Sequence, residues 1–253
     1  MIGAGGGFII VPVLLLFFKV PHQMAVGTSL CVVFLNAASG SYSYIKQKMV
    51  DWRAAPIFAL ATIPGAIIGV YFSAQLSGKV FNIIFGISLL ILSLYLIINP
   101  EKRKNLNEEN KPIKKKRFYI ERTILSSDGH KYSYSYHEPA GFLLSMVVGF
   151  ISSLLGIGGG IIHVPALIQL FSFPAHVAIA SSHFILALTA FVGALGHIIV
   201  GDVLVKEAIY MGAGVVIGAQ FGAKLAKKIR APLLVRLLAL ALLAVGIRLL
   251  IVA

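Results

Sequence analysis

The chain has few acids, a single cysteine and almost no charge inside its apolar stretches. Only nine of its 253 residues are Asp or Glu, and six of these fall between Glu101 and Glu138. The other three, Asp51, Asp202 and Glu207, stand at predicted helix ends, and no Asp, Glu, Lys or Arg lies deep in an apolar run. Ionisable groups are costly inside a bilayer and usually serve a transport path when they occur there. Their lack argues against a sodium or metal carrier and against a carboxylate proton relay. Cys31 is alone in an apolar run, which excludes a disulfide framework and a cysteine metal cluster. No basic segment with a cleavage site precedes the first apolar run, so nothing reads as a cleavable signal peptide. There is no Gly-x-Ser-x-Gly elbow, no His-Glu-x-x-His and no pair of intramembrane carboxylates. Neither an enzyme nor a bound cofactor is indicated.

What is present is apolar. Hydrophobic residues make up 58% of the chain and charged ones 12%, with a mean hydropathy of +0.91. One globular core cannot bury that much apolar surface, so the chain reads as an integral membrane protein. Runs near the ~20 residues that a helix needs to cross hydrocarbon cover residues 25–44, 54–72, 80–98, 177–199, 208–225 and 233–252. Residues 1–18 and 139–171 add two further segments, the second too long for one crossing and interrupted by small residues. The net charge of +13 does not point to nucleic acid. Ten of the 22 Lys and Arg residues lie between Lys102 and Lys131, and most others sit at helix ends, as in retained cytoplasmic loops.

The chain repeats itself. Gly3-Ala-Gly-Gly-Gly-Phe-Ile-Ile-Val-Pro12 returns as Gly156-Ile-Gly-Gly-Gly-Ile-Ile-His-Val-Pro165, 153 positions on, with seven of ten residues identical. The match continues through Pro21 and Pro174, Ala25 and Ala178, Ser29 and Ser182, and Gly40 and Gly193. With a short deletion, Gly65-Ala-Ile-Ile-Gly69 matches Gly214-Val-Val-Ile-Gly218, spaced glycines that suit close helix approach. The expected organisation is a first membrane repeat at 1–98, a polar basic linker at 99–138 and a second membrane repeat at 139–253. The second motif follows a lead-in, residues 139–155, that has no counterpart before the first. We expect the natural start to lie upstream of Met1.

The linker contains Lys114-Lys-Lys-Arg117 and then two alternating runs flanking Asp128-Gly129, a signal for a small β-hairpin with a tight primed turn. A lone hairpin is marginal in water, so it is expected to pack on the helices or on a partner subunit. Charge bias bears on topology. If each motif segment is broken or re-entrant, the basic loops around residues 46–53, 102–131 and 224–236 share one face, which favours inverted repeats over parallel ones. The fold class expected is all-α and polytopic: two inverted repeats, each a Gly-broken or re-entrant segment plus three transmembrane helices, with the hairpin between them.

With no membrane acids, a substrate must be held by hydroxyls, amides, histidines and backbone. Gly5, Gly6 and Gly7, and Gly158, Gly159 and Gly160, can end one helix and begin another, exposing amides that carry partial positive charge toward an anion. Simple tight packing of helices is the plainer alternative. On the following helices Thr28, Ser29, Asn36, Ser181 and Ser182 supply hydroxyl or amide donors, although Ser and Thr often bond back to their own helix. His163 and His183 lie in the second repeat only, opposite Ile10 and Leu30 of the first, and a histidine there is a candidate for substrate contact or proton coupling. His176 and His197, at helix ends, read more readily as structural.

At these motifs the chain resembles the sulfite exporter TauE/SafE family of membrane permeases. The two glycine motifs, Thr28-Ser29, Ser181-Ser182-His183 and the Gly65 and Gly214 helices carry the resemblance. It implies a multi-pass transporter of the cell membrane for small sulfur-containing oxyanions such as sulfite or organosulfonates, often acting as an exporter. An anion channel, an uptake permease for another small organic anion and an assembly component that recruits a partner through the hairpin are the alternatives. The expected partners are the small anion and the bilayer, with a second copy of the chain admitted and nucleic acid excluded. No metal site is expected.

Overall fold

A computed structural model describes residues 5–98, 119–127, 129–226 and 231–252. Met1, the basic cluster 114–117 and Asp128 lie outside the described residues.

The first half contains a short helix, α1 (Gly7–Leu16), then three long ones, α2 (His22–Lys46), α3 (Ala54–Gln75) and α4 (Gly78–Ile98). Strands β1 (Tyr119–Leu125) and β2 (Lys131–His137) follow. The second half is α5 (Glu138–Leu155), the short α6 (Gly160–Gln169), α7 (Ala175–Val200), α8 (Val205–Ala226) and α9 (Ala231–Val252). Five of these, α2, α3, α4, α5 and α7, are long and apolar enough to cross a membrane, judged over the described residues. Apolar side chains such as Leu60, Ile67, Ile91, Leu94, Leu143 and Ile199 are exposed on their outer faces, as expected of surface that meets lipid. The anticipated spans agree with the helices to within a few residues, and 139–171 divides at its glycines into α5 and α6.

Contacts between the matching helices run in opposite directions. On α2 and α7, Gly27 meets His197, Leu30 meets Gly193, and Gly40 meets the His183 ring, so the pair is antiparallel. On α4 and α9, Gly86 approaches Gly246 while Ser93 Oγ donates to the Ala239 carbonyl at 2.8 Å, again antiparallel. Helix α5 runs alongside α3 in the same direction. A Cβ at Gly65 would collide with the Met146 carbonyl, one at Gly149 with the Thr62 carbonyl, and one at Gly69 would sit 2.5 Å from the Phe150 carbonyl. These backbone-distance contacts explain the spaced glycines of the first half. The equivalent Gly214 and Gly218 on α8 meet nothing within 4 Å among the described residues.

The hairpin forms with Leu125 opposite Lys131 and Tyr119 opposite His137. Its turn is wider than the two-residue primed turn anticipated. The Ser126 N–H donates to the His130 carbonyl and Gly129 has φ 81°, while the Ser127 N–H donates to the Gln47 carbonyl at the end of α2. Anchoring to the α2 terminus holds the longer loop in place. The hairpin docks on the helices: the Tyr134 and Tyr136 rings pack at a tilt against Phe173, and Tyr136 meets Phe58 edge-on. These residues form one of two apolar cores, with Val50, Leu167, Phe171 and Val177. The other core surrounds the two glycine motifs.

Candidate functional site

Both motifs become left-handed turns that start a short helix. Gly5 and Gly6 have φ 64° and 88° ahead of α1, and Gly156 and Gly158 have φ 70° and 68° ahead of α6. Such angles are open to glycine and strained for other residues, which accounts for the glycine runs. Neither helix has a side-chain cap at its N-terminus; the Ile9 and Ile162 amides bond back to the Gly6 and Gly159 carbonyls, and the first two amides of each helix have no such partner among the described residues.

The two breaks meet. A Cβ on Gly7 would collide with the Gly156 carbonyl, so the start of α1 lies against the turn that precedes α6. Gly5 and Gly158 both pack on the same two side chains, Val33 of α2 and Leu186 of α7, themselves 153 positions apart. From this shared region the short helices diverge. The end of α1 lies beside His22 and Leu76, and the end of α6 joins the core under the hairpin. Along α6, Gly159 meets Val148 and His163 meets Ser145, so α6 runs back antiparallel to α5.

Side chains secure the breaks. Ser29 Oγ donates to the Gly156 carbonyl at 2.7 Å, and Asn36 Nδ2 donates to the Gly5 carbonyl at 3.1 Å. Ser182, at the position matching Ser29, is buried with no hydrogen-bond partner for its hydroxyl among the described residues. Ser145 Oγ donates to the Gly141 carbonyl at 2.7 Å and lies 3.0 Å from His163 Nε2. The hydroxyl proton is thereby used, so Nε2 carries the donating hydrogen and His163 clamps α6 to α5.

The remaining residues singled out in the sequence lie elsewhere. Thr28 Oγ1 accepts from the Leu204 N–H at 3.0 Å, and Ser181 Oγ accepts from the Asp51 N–H at 3.0 Å. These two bonds are related by the 153-residue repeat and sit at opposite ends of the helices. His183 Nδ1 lies 3.0 Å from the Ile179 carbonyl of its own helix, with its ring over Gly40 and edge-on to Tyr44. The structure thus brings the glycines, Ser29 and Asn36 together and assigns Thr28, Ser181 and His183 to contacts between α2, α7 and the loops. The sequence did not single out Val33 and Leu186, whose packing against both breaks depends on tertiary contact. Their signal was faint: two aliphatic residues at matching repeat positions.

The hairpin end is tied by one buried carboxylate. Asp51 Oδ1 accepts from the Arg53 and Ala54 amides at 2.8 and 3.1 Å, capping α3, and from Arg122 Nη2 at 3.2 Å. Tyr134 donates its hydroxyl to Asp51 Oδ2 at 2.5 Å. Burial, and then the Asp51 charge, push the Tyr134 and Tyr136 hydroxyls above the ordinary tyrosine range. Burial pulls on Arg122 the other way, but its bond to Asp51 and that carboxylate's charge leave the guanidinium held more firmly protonated than usual.

A family model described as sulfite exporter TauE/SafE matches residues 1–249. The chain belongs to the sulfite exporter TauE/SafE family. It is similar to "Probable membrane transporter protein YunE" of Bacillus subtilis, 36% identical over 98% of this chain and 91% of that protein. "Probable membrane transporter protein ORF9" of Sinorhizobium is 27% identical over 98% of this chain and 86% of its own length. No solved structure matches. As a TauE/SafE member the chain is a membrane transporter and not an enzyme. Among the described residues no group of three or more His, Cys, Asp or Glu is placed to hold a metal ion.

Proposed function

We propose that the protein is a secondary transporter of the cell membrane that exports small sulfur-containing oxyanions, binding them between the two glycine breaks and releasing them by alternating access. One observation carries this reading: two uncapped helix N-termini, those of α1 and α6, start from one shared region and point their partial positive charge toward it. An anion can be held there by amides alone, which suits a chain without intramembrane cations or acids. Irregular backbone at membrane depth is tolerated where protein buries it or a cavity meets it. The family's description as a sulfite exporter supplies the substrate class.

Inverted repeats are supported by the antiparallel pairing of α2 with α7 and of α4 with α9, since equivalent helices of parallel repeats would point the same way. The return of α6 along α5 supports a re-entrant motif segment. In this arrangement the α2–α3 loop with Lys46, Lys48 and Arg53 lies at the hairpin end, which the positive-inside rule assigns to the cytoplasm.

Flux into liposomes containing the purified chain tests the proposal, with sulfite, thiosulfate, sulfoacetate and sulfate compared. Saturable, gradient-driven flux of at least one of them is the expected result. An ohmic current would make the protein a channel, and no flux of any of the four would overturn the assignment.

A further inference from the structure

His197 is fully buried in the last turns of α7, and neither ring nitrogen makes a well-formed hydrogen bond among the described residues, although the Ser153 carbonyl lies beside the ring. A neutral imidazole carries one donor and one acceptor, and buried polar groups are almost always satisfied, so this ring calls for an explanation. The nearest opposite charge is Asp202, whose Oδ2 lies 4.0 Å from His197 Nδ1 and whose side chain is 20% exposed. The pair therefore runs from a sealed interior position to the surface.

The local sequence builds this geometry. Gly201 ends α7 with φ 87°, the Gly201 N–H donates to the Ile198 carbonyl, and the Asp202 N–H donates to the His197 carbonyl at 2.8 Å. This left-handed helix end folds Asp202 back toward the histidine one turn earlier. On the other side α2 comes close only because residue 27 is glycine: a Cβ there would lie 2.8 Å from His197 Cβ and collide with the Asp202 carbonyl. Helix α5 brings Ser153, whose carbonyl lies beside the His197 ring and whose buried hydroxyl has no partner among the described residues. Ser153 is three residues before Gly156, so this cluster adjoins the glycine break.

We propose that His197 and Asp202 form a proton-binding site, distinct from the anion site between the breaks, that couples anion movement to protons. A proton from the aqueous face opposite the hairpin passes Asp202 and settles on His197, giving an imidazolium paired with the carboxylate. An N–H bond forms on the imidazole as the O–H bond of a hydronium ion, or of Asp202 in passage, breaks, and no electrons are exchanged. The other charged or titratable groups toward this end, among the described residues, are His22 of α2 and exposed Lys19, Tyr71, Lys79, Lys206, Glu207, Tyr210 and Arg248. Helix α5 brings the Ser153 carbonyl to the ring, and Asp202 is the acid placed beside it. The inference rests on the transporter reading above, and its test separates the two.

The full chain is placed in liposomes with a trapped pH indicator and thiosulfate as the probe, an anion that takes up no proton near neutral pH. In the unaltered protein a thiosulfate gradient moves protons. His197→Gln abolishes that proton movement and flattens the pH dependence of flux between about pH 5 and 8, the range in which an imidazole changes charge. Lys206→Gln, exposed and outside the pair, keeps both. Proton movement and a pH profile unaltered in His197→Gln overturn the proposal. Infrared difference spectra over the same pH range read the site without any flux. Expected is a carboxylate band, assigned by its loss in Asp202→Asn, that shifts as the imidazole takes its proton and no longer shifts in His197→Gln. Absence of that band overturns the proton site even where thiosulfate moves. Its presence without flux of any of the four anions supports the site and removes the substrate reading instead. Should His197→Gln fail to assemble, Asp202→Asn must show the same loss of proton movement, and retention there overturns the proposal.

Discussion

The backbone N–H of Leu204, in the α7–α8 loop, donates to Thr28 Oγ1 of α2 across 176 residues of sequence. Its repeat counterpart, Asp51 N–H to Ser181 Oγ, makes the same bond from the α2–α3 loop to α7 at the hairpin end. Each half thus uses a hydroxyl to hold the loop of the other.

These bonds work as separate latches at the two ends. Ser181→Ala leaves a buried amide without its acceptor, a loss of about 1–3 kcal/mol, and Thr28→Val leaves a part-buried one, a loss toward the lower end of that range. Thr28→Val is expected to speed thiol labelling of Val203→Cys, and Ser181→Ala that of Val50→Cys. Faster labelling at the same end in both variants would refute separate latches.

The Asp51 knot makes hairpin docking sensitive to alkali. Tyr134 and Tyr136 titrate above their unfolded values, so the stability they supply is fully present below about pH 10, the ordinary tyrosine value, and is lost as pH rises beyond it. Hydrogen exchange in β1 and β2 should therefore quicken in strong alkali. Tyr134→Phe, which loses a bond to a charged group, weakens docking by about 1.5–3 kcal/mol at neutral pH and lessens the alkaline response. Asp51→Ala strands Arg122 and the first-turn amides of α3, with a larger cost, on the order of 3 kcal/mol.

Matching glycines in the two halves will respond differently to the same change. Gly65→Ala forces α3 away from α5, because its Cβ would overlap the Met146 carbonyl. Gly214→Ala meets no neighbour within 4 Å among the described residues and gains up to about 1 kcal/mol of helix propensity. Thermal melts in detergent should show a lowered midpoint for the first variant and an unchanged or raised one for the second.

At the breaks, Gly158→Ala is strained twice over, by φ 68° and by a Cβ 2.8 Å from Val33 Cγ1. A left-handed residue other than Gly, Asn or Asp costs about 1–2 kcal/mol before any clash. Flux should fall sharply, with a smaller loss of folded protein. Equal losses in flux and in folded yield would reduce the break to a packing device. Ser29→Ala, which frees the Gly156 carbonyl, is expected to give a milder loss of the same kind.

Much of the fold could be read from residue order because its rules are local. The length of an apolar run sets whether it spans the bilayer, and glycine triplets announce backbone that other residues resist. Alternation around Asp128-Gly129 announced the hairpin but not its wider turn, since that depends on the Gln47 carbonyl of a distant helix end. Around the breaks, Gly5, Gly158 and Ser29 stand out by repetition and Asn36 by its amide. Thr28, Ser181 and His183 carry the same polar signal and make their contacts away from the breaks. His197 looked structural because nothing in the sequence reveals that its ring makes no well-formed hydrogen bond.

Sequence alone determined a duplicated, membrane-spanning chain with paired glycine breaks and no membrane acids, because hydropathy, spacing and backbone freedom belong to the residues themselves. Only the tertiary structure decided that the breaks meet, that Val33 and Leu186 pack on both, and that Gly27 of α2 packs against His197 and Asp202 at the end of α7. Those relationships depend on which faces of α2, α5 and α7 pack together, and side-chain identity at one position does not encode its neighbour more than a hundred residues away.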